Sequence, residues 1–67
     1  MKYRIELIQD NMETMYLVAM SPFGFNFSFR AKDARTYEEI EAKAIVAILK
    51  ANDRESGRKA KYRRVGV

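Results

Sequence analysis

From Phe23 to Phe29 every second residue is phenylalanine, with Gly24, Asn26 and Ser28 between them. A period of two matches a strand that buries one face, and it cannot supply the stripe of a helix, which repeats every 3.6 residues. The flanking turn signals extend that strand into a layout. Ser21-Pro22-Phe23-Gly24 has Ser first, Pro second and Gly fourth, the preferences of a type I turn. Gln9-Asp10-Asn11-Met12 centres two residues that tolerate positive φ, as a two-residue hairpin loop requires. Three strands are expected, at about 2–9, 12–20 and 25–31.

These loops imply registers. The first pairs Tyr3 with Val18 and Ile5 with Tyr16. The second pairs Met20 with Phe25, Val18 with Phe27 and Tyr16 with Phe29. One face then collects Tyr3, Ile5, Leu7, Tyr16, Val18, Met20, Phe25, Phe27 and Phe29, the pattern of a half-buried antiparallel sheet. The opposite face would carry Met15, Leu17 and Ala19 as an apolar strip rimmed by Arg4, Glu6 and Arg30, a candidate partner surface.

A helix is predicted next. Thr36-Tyr37-Glu38-Glu39 reads as a capping box with Thr36 as N-cap. Tyr37, Ile40, Ala44, Ala47, Ile48 and Ala51 fall on one stripe, expected to cover the sheet. Ala42, Ile45, Val46 and Leu49 lie off it, as a second apolar surface for the C-terminal segment or another subunit. Ser56-Gly57 is the stop signal. The expected fold is α+β, a three-stranded antiparallel meander packed on one C-terminal helix. Residues 1–57 form a single domain and residues 58–67 a basic tail or short edge strand.

The chain has 67 residues and a net charge of +4, but the charge is unevenly spread. Arg58, Lys59, Lys61, Arg63 and Arg64 crowd the last ten residues without one acid, while the remainder is close to neutral. Such a segment suits an anionic partner, nucleic acid or an acidic protein. Tyr62 among those cations is placed to stack on bases. If the segment is a strand, Lys61, Arg63 and Val65 lie on one side and Tyr62 and Arg64 on the other.

Cysteine and histidine are absent, which removes thiolate and imidazole metal sites, Cys or His nucleophile–base pairs and His proton shuttles. Glu38, Glu39 and Glu41 sit where helix-start roles explain them. The chain reads as non-enzymatic, without cofactor or metal. Charges interrupt its N-terminus, and its longest apolar run, Ala44 to Leu49, is too short to span a bilayer. A soluble, cytoplasmic protein is expected.

The phenylalanine strand invites comparison with RNA-recognition domains, whose aromatic strand begins with Lys/Arg-Gly. Ser21-Pro22 stands there instead, so Phe25, Phe27 and Phe29 read as core. In layout, a three-stranded sheet followed by a helix resembles the arm-site DNA-binding domains of tyrosine integrases. That resemblance implies a sheet entering the major groove with Arg4, Arg30 and Lys2. The layout is also similar to a double-stranded-RNA-binding domain without its first helix, where a Lys-Lys pair at the last helix grips phosphate; here Glu38-Glu39 occupies that region.

The leading expectation is a small nucleic-acid-binding accessory protein, contacting phosphate through Arg58, Lys59, Lys61, Arg63 and Arg64 with Arg4 and Arg30, and dimeric. Its pairing surface would be Met15, Leu17 and Ala19 or Ile45, Val46 and Leu49. The alternative is a protein-interaction module, an inhibitor or adaptor of the kind a phage or mobile element would encode, acting through the apolar sheet face.

Overall fold

Strand β1 (Lys2–Ile8) is paired along both of its edges in the computed structural model, which describes residues 1–58 and 60–67. One edge carries the C-terminal strand β5 (Lys61–Gly66), antiparallel, from Tyr3 opposite Gly66 to Ile8 opposite Lys61. The other edge is shared. β2 (Met15–Ser21) takes the end of β1 near Leu7, and the short β4 (Thr36–Glu38) takes the start near Tyr3. β3 (Gly24–Ser28) pairs with β2 at the far edge, and helix α1 (Glu39–Ser56) follows β4. The class is α+β, an antiparallel sheet with one helix on one face.

The first hairpin is longer than its turn signal implied. Leu7 lies opposite Met15 and Glu6 opposite Tyr16, so an odd number of residues separates the strands, and Asn11 takes the positive φ of 61° within the loop. That slip of one residue turns β2 over. Met15 and Leu17, not Tyr16 and Val18, face the helix, and Leu17 is fully buried.

A bulge at Val18 then restores the phase. Leu17 opposes Phe27, while Ala19 opposes Asn26 and Met20 opposes Phe25. Phe25 and Phe27 therefore lie on the core side as expected, but Phe29 falls beyond β3 and is exposed.

The helix also enters in a different phase. Thr36 and Tyr37 belong to β4, with Tyr37 opposite Tyr3, and the N-cap is Glu38. The Glu38 side chain accepts from the backbone of Glu41, and the Glu41 carboxylate accepts from the Glu38 N–H at 3.3 Å. With this start, Ala42, Ile45, Leu49 and Asp53 face the sheet, at the i, i+3, i+7, i+11 spacing of a helical stripe. Ile40 and Ile48, assigned to the core from sequence, point to solvent. Gly57 closes the helix in the left-handed conformation (φ 76°), and the Arg58 N–H donates to the Asp53 carbonyl at 3.0 Å.

The core is one cluster of Ile5, Leu7, Leu17, Tyr37, Ala42, Ile45, Leu49 and Tyr62, with Tyr3, Met15, Phe25, Phe27 and Val46 packed against it. This corrects the expected partner surfaces. Leu17, Ile45 and Leu49 are interior, Met15 and Val46 are half-buried against them, and Ala19 is half-buried opposite Asn26. No helix among the described residues is long and apolar enough to cross a membrane.

Candidate nucleic-acid interface

β5 sorts the C-terminal cations by alternation. Lys61, Arg63 and Val65 lie on the sheet face without a helix, while Tyr62 and Arg64 lie on the helix side. Tyr62 is only 8% exposed and packs against Phe27, with ring centroids 6.5 Å apart. It is a core residue and cannot stack on a base, which overturns the role expected from its neighbours.

Arg64 stacks over the Tyr3 ring, its guanidinium carbon 5.6 Å from the centroid. Between β5 and α1 runs a shallow groove of about 350 Å³, lined by Lys43, Val46, Lys50, Tyr62, Arg63 and Arg64. Lys43 and Lys50 are seven residues apart, two helical turns, and so share the flank of α1 that faces β5. Arg64 reaches the same groove through its place on β5. Four of the six lining residues are cationic and none is acidic. Lys43 also pairs with Glu39 one turn back, at 3.4 Å, with both groups more than half exposed.

On the open sheet face a buried carboxylate holds two of the cations. Glu6 is 3% exposed because two arginines close over it. Arg4 Nε donates to Oε2 at 3.1 Å and Arg63 Nε to Oε1 at 2.8 Å. The Arg4 guanidinium carbon also lies 5.2 Å from the Tyr16 ring centroid. Arg4 is thus tied into a Tyr16–Arg4–Glu6–Arg63 row.

The remaining predicted cations lie apart. Arg30 is exposed beyond β3, with β2 and β1 between it and β5. Arg58 turns toward the C-terminal end of α1, where its guanidinium is 3.3 Å from Asp53 Oδ1. Lys59 lies outside the described residues. Asp53 is 4% exposed and helps line a hollow of about 570 Å³ with Phe25, Phe27, Leu49 and Tyr62. Burial first, and then the neighbouring Asp53 carboxylate, push the Tyr62 phenol up to about 12.

Sequence reasoning therefore found Arg64 and Arg63 but missed Lys43 and Lys50. Their seven-residue spacing was visible. That they meet Arg64 depends on β5 lying beside β1 under the helix flank. Comparison with protein-family models, curated proteins and solved structures finds no match to this chain.

Proposed function

We propose that the chain is a small, non-enzymatic nucleic-acid-binding accessory protein of the cytoplasm, acting as a homodimer and gripping phosphate at the β5–α1 edge. The observation that carries this reading is the convergence of Lys43, Lys50 and Arg64 on one groove without a lining carboxylate. Cations gathered from distant sequence positions onto one surface form the electrostatic footprint of a polyanion site. Lys61 and Arg63 flank it from the other side of β5, where a phosphate competes with Glu6 for the Arg63 fork.

Three phosphate contacts predict a log–log salt slope of about −2.7 on duplex DNA, or roughly a 40-fold loss of affinity between 50 and 200 mM salt. Fluorescence anisotropy with labelled single- and double-stranded oligonucleotides measures it. A Lys43→Glu, Lys50→Glu, Arg64→Glu triple variant is expected to abolish binding while keeping its circular dichroism spectrum. Absence of binding by the wild type at 50 mM salt rejects the reading, and so does unchanged binding by the triple variant.

A protein-interaction module, an inhibitor or adaptor, is the second reading. It is favoured by Phe23, which is 98% exposed at the tip of the β2–β3 hairpin, where Met20 of β2 is also exposed.

A further inference from the structure

The helix carries two apolar stripes, and the fold buries only one. Ile40, Ala44, Ala47, Ile48 and Ala51 run along the outer face of α1, all exposed, with Ile40 at 84% and Ile48 at 52%. Their i, i+4, i+7, i+8, i+11 spacing makes one continuous band at about 100° per residue. Its two borders differ in sign. On the same helical projection Glu41 borders one side, Lys43 and Arg54 border the other, and Glu55 falls within the line of the band one turn past Ala51.

We propose that two copies of this chain pair through the Ile40–Ala51 stripe with their α1 helices parallel, about a two-fold axis running along the helices. The charge pattern decides both the occupant and the direction. A two-fold axis along the helices sets the acidic border of each copy against the basic border of the other. Glu41 then meets Lys43 of the second copy at nearly equal height. An antiparallel pair sets each border against itself, acid to acid and base to base, and is disfavoured. The alanines at 44, 47 and 51 let the helix backbones approach closely, and the isoleucines fill the space at either side. The sheets end up outermost, so the pairing does not consume the core. This inference names the pairing surface of the homodimer proposed above, and its test does not depend on nucleic-acid binding.

Because the chain has no cysteine, single substitutions report the geometry directly. Sedimentation equilibrium of the full chain at micromolar concentration is expected to give a dimer. Ile48→Lys, at a solvent-exposed site, is expected to weaken self-association by about 100-fold or more with unchanged circular dichroism. Under mild oxidation, Ile40→Cys alone and Ala51→Cys alone are each expected to form disulfide-linked dimers, because a parallel pair places every stripe residue beside its own copy. Asp10→Cys, in the exposed hairpin turn, serves as the collision control and is expected to form no disulfide-linked dimer. A wild type that is monomeric throughout overturns the proposal, as does an Ile48→Lys variant that still dimerises. If the two cysteine variants cross-link only when mixed, the pairing is antiparallel and the proposal fails.

Discussion

The Tyr62 ring meets the Phe27 ring at a centroid distance of 6.5 Å and an interplanar angle of 34°, joining the C-terminal strand to the far hairpin across the helix-covered face of the sheet. The basic segment is thereby part of the fold: its cations are displayed by a strand whose inward tyrosine belongs to the core. Tyr62→Ala is expected to cost about 3–5 kcal/mol, comparable to the whole stability of so small a domain. Removing residues 58–67 should unfold the chain outright, because β1 loses the partner along one full edge and the core loses Tyr62. Urea titration followed by circular dichroism checks both. A truncated chain with a wild-type midpoint would show β5 to be dispensable.

Phe27 and Leu17, opposite each other across β2 and β3, give a second test of the register. Leu17 is fully buried, so Leu17→Ala should cost about 2–5 kcal/mol. Val18→Ala, at the bulge, should cost much less, near 1 kcal/mol. In the unbulged register read from the turns the order would be reversed, since Val18 would then face the core. Thermal melts of the two variants therefore discriminate the registers without a further structure.

How the sequence misled about β2 is instructive. Asn11 supports positive φ equally well in a two-residue loop and in a longer one, so the turn signal could not count the residues between Ile8 and Met15. One extra residue turned Tyr16 outward and Leu17 inward, and the bulge at Val18 brought Phe25 and Phe27 back to the core face. Two one-residue irregularities compensate, which is why the phenylalanine side was legible while its β2 partners were not. The helix posed a different ambiguity. Both of its stripes are apolar, and the choice turned on whether Tyr37 opens the helix or ends a strand. Pairing with Tyr3 makes it a strand residue, and the larger Ile45 and Leu49 then fill the interior. Long-range pairing decided that point, and local pattern alone carries no trace of it.

The Glu6 carboxylate gives a third prediction. It holds two arginines, but Arg63 is 62% exposed, so solvent screens much of that pair. Arg63→Ala is expected to cost about 1 kcal/mol, and Glu6→Gln more, about 1–3 kcal/mol, since it weakens both charge-assisted hydrogen bonds at once. A double-mutant cycle over Glu6→Gln and Arg63→Ala should return a coupling of about 1 kcal/mol at low salt, shrinking as salt rises. A coupling of zero would make the 2.8 Å contact energetically idle.

Stability at high pH should report the tyrosine that β5 buries. The Tyr62 phenol is pushed from an ordinary 10.0 up to about 12, with burial the larger cause and the Asp53 carboxylate the next. A raised pKa means that the folded state holds its proton where the unfolded chain releases it. The associated stability is complete below pH 10 and is lost as pH climbs through the window from about 10 to about 12. A shift of this size corresponds to roughly 2–3 kcal/mol in total. Tyr62→Phe keeps the ring against Phe27 and removes the ionising group, so it should flatten the decline above pH 10. Tyr37, whose phenol is also raised by burial, remains in both proteins and contributes the same sign to each. Urea midpoints at pH 8 and pH 11 therefore isolate the Tyr62 contribution. Wild type and Tyr62→Phe should converge as pH rises, and parallel declines would mean that the phenol ionises as readily folded as unfolded.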